Sequence, residues 1–302
     1  MANARLIYFK SQAPLALSLA NLMNLDSMPI LRHDFLDGEF KLQLPETLAS
    51  RVYLFCTLDH PNEKLLELLF AAKTARKMGV EHITLIAPYL AYMRQDTAFH
   101  PGEVVSQKII GGLLASLFDA VITVDPHLHR INKLEEVIPI AHVLVISAAN
   151  LLGQFVAQQR TDPLLIGPDT ESYQWIEQAA KPNNLEYSVA SKTRYGDFEV
   201  EIDLPKISFD GRSVVMLDDI ASSGHTLARA AELALSKGAK SVDVAIAHAL
   251  FNSDVMNLLK ESGVENIWSA DTVMHPTNVV SVLPDIARAL QGFDNDLLPN
   301  DR

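Results

Sequence analysis

Short, continuously apolar runs recur along this chain with helix-like segments between them, and that alternation restricts the possible folds more than any other feature. The runs occupy residues 51–56, 82–87, 120–124, 142–146, 164–166, 214–217 and 242–247. A strand with one solvated face alternates apolar and polar residues. These runs do not alternate, so they fit strands covered on both faces, as in parallel sheets. Residues 62–78 and 105–117 have helical spacing with charged faces, and residues 147–158 read as the next helix. Strand and helix in alternation give an α/β fold with largely parallel central sheets flanked by helices.

A chain of 302 residues exceeds one typical domain, which leads to an expectation of two units, residues 1–147 and 148–302. Residues 283–290 read as a terminal helix of the second unit. Strand, carboxylate and loop follow one another in residues 121–127 and again in residues 214–220, so the two units are expected to be duplicates that match at these places.

Lys and Arg number 25 against 37 Asp and Glu, a formal net charge of −12, which argues against general nucleic-acid binding. Any phosphorylated ligand must therefore be held by basic groups, helix N-termini or a divalent cation placed locally. The single cysteine, Cys56, lies in an apolar run and reads as a core thiol; one cysteine also rules out a disulfide within the chain. No window approaches membrane-spanning length, and no long apolar stretch follows a basic patch at the start of the sequence. A soluble, cytoplasmic protein is the expectation.

The most chemically specific stretch begins where the apolar run of residues 214–217 ends in Asp218 and Asp219, followed by Ile220, Ala221, Ser222, Ser223, Gly224, His225 and Thr226. Residues 227–237 then read as a helix. Small residues let backbone N–H groups converge on an anion at a helix N-terminus, where the macrodipole also favours negative charge. Asp218 and Asp219 repel phosphate and suit sugar hydroxyls or a divalent cation. An acidic strand-to-helix turn with a Ser or Thr cap is the alternative reading.

This stretch resembles the phosphoribosyl-binding loop of type I phosphoribosyltransferases, and further motifs in a fixed order narrow the likeness to ribose-phosphate pyrophosphokinases. Pro88 and Tyr89, then Arg94, Gln95 and Asp96, resemble that family's nucleotide signature. Phe35, Asp37 and Glu39 resemble its adenine loop, supplied there by a neighbouring subunit, although Asp37-Gly38 also fits a hairpin turn. Asp125-Pro126-His127 resembles an aspartate-x-histidine that meets ATP phosphates and magnesium, with His129 close behind. Asp169 stands at the family's pyrophosphate loop, where Thr170-Glu171-Ser172 replaces a glycine-rich continuation; Asp169 and Ser172 also fit as helix caps. Lys192 and Arg194 have the spacing of the catalytic pair carried on a mobile loop.

The resemblance implies two phosphoribosyltransferase-like domains that use ATP and ribose 5-phosphate to make phosphoribosyl pyrophosphate (PRPP) and AMP. It places Phe35, Asp37, Glu39, Arg94, Gln95, Asp96 and His127 at ATP, and Asp218, Asp219, Ser222, Ser223, Gly224, His225 and Thr226 at ribose 5-phosphate. Lys192 and Arg194 become catalytic, and His127 and Asp169 stand beside Mg²⁺. A homo-oligomer that shares its ATP site between subunits is implied as well. A phosphoribosyltransferase and a non-catalytic regulatory homologue remain open alternatives.

Overall fold

The structure, a computed structural model, describes residues 4–128, 130–131, 133–194 and 200–297. The chain forms two compact units, Met1–Ile146 with Leu283–Arg302, and Ser147–Val282. In the first unit the elements are β1 (Ala4–Phe9), α1 (Ala13–Met23), β2 (Asp26–Asp34), β3 (Phe40–Gln43), β4 (Arg51–Phe55), α2 (Pro61–Lys77), β5 (His82–Ala87), α3 (Ser106–Leu117), β6 (Ala120–Val124) and β7 (His142–Ile146). Its sheet runs in the order β3-β2-β1-β4-β5-β6-β7. Every neighbouring pair is parallel except the β2–β3 hairpin. All five residues of β6 are buried, as are all but the first of β4 and of β5, which is why these strands carry no polar alternation.

The second unit comprises α4 (Ala149–Gln159), β8 (Leu164–Gly167), α5 (Tyr173–Ala180), β9 (Glu186–Val189), β10 (Ser191–Arg194), β11 (Val200–Asp203), β12 (Ser213–Ala221), α6 (His225–Ser236), β13 (Ser241–Ala249), α7 (Ser253–Glu261), β14 (Val264–Ala270) and β15 (Asn278–Val280). Its sheet order is β15-β14-β13-β12-β8-β9, with β10 and β11 paired as a separate antiparallel ribbon. The core lies between the sheet and α6, where Met216, Val244 and Ile246 meet Leu227, Ala231 and Ala234.

Read in the same direction, β2-β1-β4-β5-β6-β7 and β9-β8-β12-β13-β14-β15 are one topology used twice. The duplication expected from the sequence is present, with a different correspondence. β12 matches β4, and β6 matches β14, because equivalence is set by which strands are neighbours and not by which strand happens to end in an aspartate. In each unit the strand order reverses between two neighbours, β1 with β4 and β8 with β12, and ligands of open α/β sheets bind beyond the carboxyl ends at such a point.

The last helix, α8 (Leu283–Leu297), belongs to the first unit and not to the second, a correction to the expected division. It packs on α1 as α4 packs on α5, so each helix that follows the last strand of one duplicate rests on the first helix of the other. Ile286, Leu290 and Phe293 are buried at helical spacing, and the Phe293 ring lies 6.4 Å from that of His82 and 5.0 Å from that of His142. Nothing local in the sequence distinguishes this docking from packing on the preceding unit. Among the described residues no helix is long and apolar enough to cross a membrane.

Candidate active site

At the reversal point of the second unit, Asp169 follows β8 while Asp218 and Asp219 lie near the end of β12. The acidic pair is on the strand and not in the loop after it. The ladder continues past residue 217, pairing Asp218 with Ile246, Ile220 with His248 and Ala221 with Ala249. The strand tolerates acidic side chains at its carboxyl edge because the ladder uses main-chain groups alone. Burial holds the Asp218 carboxyl well above its ordinary pKa, and the neighbouring Asp219 and Asp169 carboxylates push it further. Asp219 and Asp169 thus act on Asp218 across this region, and carboxylate oxygens are acceptors suited to sugar hydroxyls.

Beyond them, Ser222 and Ser223 are exposed and lead to Gly224, which has φ 71° and opens α6. No side chain caps α6, and its first turn carries no acidic residue, so the N-terminal end of this helix is open to an anion. His225 is the exposed first residue of α6; the left-handed backbone falls on Gly224, so the bulky ring at 225 strains nothing. Thr226 follows within the same turn.

Asp169 caps the short 3-10 turn Thr170–Ser172, accepting the N–H groups of Glu171 and Ser172 at 3.1 and 3.2 Å. Ser172 donates its hydroxyl to the Asp169 carbonyl at 2.6 Å and caps nothing. Glu171 is exposed. Lys192 and Arg194 stand on β10, opposite Ile202 and Val200, and not on the loop expected from the sequence. Residues 195–199 lie outside the described residues, as does His129.

In the first unit, three of the loops beyond the sheet's carboxyl edge hold non-glycine residues at positive φ: His60 at 49°, Tyr92 at 65° and Asp125 at 36°. Such backbone is uncommon and concentrates where loops are held in one shape for a purpose. After β5, the fully buried Gln107 of α3 donates its side-chain amide to the Met93 carbonyl at 3.0 Å and its own N–H to the Gln95 carbonyl at 3.3 Å. Arg94, between those two carbonyls, is presented outward and exposed. Gln95 turns its amide to the Thr97 carbonyl at 2.9 Å. Asp96 is 3% exposed and accepts an N–H of Arg130 at 2.6 Å. Half-buried His127 follows β6, next to Asp125, whose N–H reaches the Ile146 carbonyl at 2.9 Å.

The β2–β3 hairpin carries Phe35, Asp37 and Glu39. Asp37 accepts the Glu39 N–H at 3.1 Å, Gly38 has φ 91°, and Phe35 is 44% exposed, so the segment is both a tight turn and a presented aromatic. Arg32 fastens the hairpin to α2 through Glu67 at 2.7 Å and Glu63 at 2.8 Å, with its guanidinium 4.4 Å from the Phe40 ring centroid.

At the first unit's own reversal point the two loops bond to each other. Gln12 and Thr57 exchange two hydrogen bonds of 3.1 and 2.8 Å, and Lys64 bonds the Thr57 carbonyl at 3.0 Å and Asp59 at 2.6 Å. The structure therefore adds Gln12, Thr57, Gln107 and Arg130 to the residues found from sequence. None belongs to a motif; only the Arg130 charge, three positions after His127, was a visible signal.

Residues 4–117 match the family described as the N-terminal domain of ribose phosphate pyrophosphokinase, and residues 140–276 match the phosphoribosyl transferase domain. A ribose-phosphate pyrophosphokinase of Methanopyrus kandleri is 34% identical over 278 residues, covering 91% of this chain and 94% of its own. The chain belongs to the ribose-phosphate pyrophosphokinase family. Another family member, from Saccharolobus solfataricus, is 32% identical and covers 85% of this chain and 88% of its own. The crystal structure of phosphoribosylpyrophosphate synthetase from Mycobacterium smegmatis has the same fold, with a TM-score of 0.86 at 21% identity over 97% of this chain and 99% of that one. The likeness to the family spans both units.

Among the described residues no three His, Cys, Asp or Glu side chains form a ready metal cluster. Mg²⁺ commonly takes one or two carboxylate oxygens and completes its shell with water and substrate phosphates. Asp169 and its acidic neighbours offer oxygens of that kind.

Proposed function

We propose that this chain transfers the β,γ-diphosphoryl group of ATP to the 1-hydroxyl of ribose 5-phosphate, forming PRPP and releasing AMP. One contrast supports the reading: beside Asp218 and Asp219 the second unit has a helix N-terminus without a side-chain cap, whereas at the same topological position in the first unit Gln12, Thr57, Asp59 and Lys64 bond one another. One duplicate keeps a sugar-phosphate site, and the other presents Arg94 and His127 for a nucleotide.

In this reading the α6 N-terminus, Ser222, Ser223, Gly224, His225 and Thr226 hold the 5-phosphate, while Asp218 and Asp219 accept hydrogen bonds from the ribose hydroxyls. Arg94, Gln95 and His127 bind the nucleotide, and Phe35, Asp37 and Glu39 complete the adenine site of a neighbouring chain, so the active form is at least a dimer. The sugar oxygen attacks the β-phosphorus in line, its proton is lost, and the bond to the α-phosphate oxygen breaks to free AMP. Lys192 and Arg194 stabilise negative charge on the transferring phosphoryl oxygens and on the leaving group, so positioning and electrostatics supply the catalysis. Mg²⁺, with Asp169 and His127 beside it, supplies further charge neutralisation. A cytoplasmic setting suits these substrates and the lone buried Cys56.

The test is to mix purified protein, ATP, Mg²⁺ and ribose 5-phosphate and to weigh the products. AMP and PRPP in equal amounts are expected; ADP as the main nucleotide product refutes the reading. Activity that falls on dilution, in step with loss of dimer by mass, is expected for the shared site. Full specific activity in a monomeric sample contradicts it.

A further inference from the structure

Arg130 and Asp96 join the loops after β6 and β5, two neighbouring parallel strands of the first unit. The pairing is unequal. Asp96 is 3% exposed, and its second carboxylate oxygen is buried without a hydrogen-bond partner, whereas Arg130 is 54% exposed. A buried carboxylate of this kind is poorly placed to touch a ligand, and ionised it requires a cation to offset its desolvation. The Arg130 guanidinium carbon also lies 5.6 Å from the centroid of the exposed Phe99 ring, on the loop that carries Arg94. Phe99 and Asp96 thus fix a planar fork at two places, and the remaining N–H groups are open.

We propose that Arg130 is a second phosphate-binding arginine of the nucleotide site, with Asp96 as its buried anchor and not itself a contact to the nucleotide. The inference rests on the proposed nucleotide role of the first unit. It gives a reason for a buried acid beside an anion site on a chain of net charge −12: Asp96 holds one cation in place at a spot where the overall field opposes phosphate. Arg94 and Arg130 then approach one ligand from two adjacent loops, the backbone on either side of Arg94 held by Gln107 and the Arg130 side chain by Asp96. Bidentate forks of this type recognise phosphate oxygens in a way a lysine does not reproduce.

The experiment is calorimetric binding of ATP and of AMP, each with Mg²⁺, to the full chain and to Arg130→Gln, Asp96→Asn and the double variant. Thermal transitions are measured alongside. The double variant replaces the ion pair by two neutral amides and remains informative if either single change unfolds the first unit. Arg130→Gln is expected to weaken ATP by about tenfold or more and AMP by less, because the contact is to phosphates that AMP lacks. In the Arg130→Gln background, Asp96→Asn is expected to add nothing. An equal loss for ATP and AMP, unchanged ATP binding in a folded Arg130→Gln or double variant, or a full additional loss from Asp96→Asn overturns the assignment. Wild-type protein that binds no ATP overturns the nucleotide reading and this inference with it; wild-type binding without the difference overturns the inference alone.

Discussion

Gly224 packs against Val255 so closely that a Cβ built on the glycine would stand 2.4 Å from Val255 Cγ1. The same residue has φ 71°, so a side chain here meets both a steric wall and an unfavourable backbone. Gly224→Ala is expected to cost about 1–3 kcal/mol of stability, read by denaturant unfolding, and to weaken ribose 5-phosphate binding by displacing the α6 N-terminus. An alanine variant as stable as the parent, with normal sugar-phosphate affinity, would show that the close packing has no part in the cradle.

Lys192→Ala and Arg194→Ala are each expected to lower turnover by about 100- to 1,000-fold while leaving ATP affinity nearly unchanged, since charge stabilisation grows in the transition state. The readout is steady-state kcat beside calorimetric ATP binding. Near-normal kcat in both variants removes the β10–β11 hairpin from the chemistry.

Asp218→Asn with Asp219→Asn is expected to weaken ribose 5-phosphate far more than ATP, by about 1.5–3 kcal/mol for each charged hydrogen bond lost. Because burial, and after it Asp219 and Asp169, push the Asp218 carboxyl upward, neutral amides here are expected to leave the thermal transition unchanged or raised. Calorimetry with each substrate separately is the measurement; equal weakening of both reassigns the cradle.

Much of the fold was legible because buried parallel strands betray themselves. β4, β5, β6, β8 and the apolar parts of β12 and β13 stand out as unbroken runs covered on both faces, whereas β7, an equally unbroken run, lies at the sheet's edge and has no fully buried residue. β2 does not, since it mixes Asp26, Pro29, Arg32 and Asp34 and is largely exposed, and in β14 the apolar residues are interrupted by Glu265, Asn266 and Ser269. The continuation of β12 through Asp218 and Asp219 was hidden because charged residues read as loop, whereas pairing with β13 depends on backbone alone. The stretch from Asp218 to Thr226 and the Arg94 segment were visible as motifs. The supports beneath them were not: Gln107 and Gln12 are single amides in helical segments, and the Asp96–Arg130 pair joins residues 34 positions apart.

Acid is expected to weaken both units. Burial lowers the pKa of His82, whose Nδ1 has no partner, and of His275, whose Nε2 donates to the Phe251 carbonyl at 3.0 Å. As pH falls through about 6.5, the unfolded histidines gain protons before the folded ones do, so stability declines toward acid and is restored above neutral pH. Thermal transitions from pH 7.5 to 5.5, repeated with His82→Gln and His275→Gln, are expected to show a flatter slope in each variant. An unchanged slope in both excludes these two groups as the cause.

The most direct measurement follows phosphorus itself: ATP labelled in turn at the α, β and γ positions is supplied with ribose 5-phosphate and Mg²⁺, and the label is located in the separated products. Intact diphosphoryl transfer predicts the β and γ labels together on the sugar, in PRPP, and the α label in AMP. Movement of the γ label alone, with α and β retained in ADP, would contradict the account.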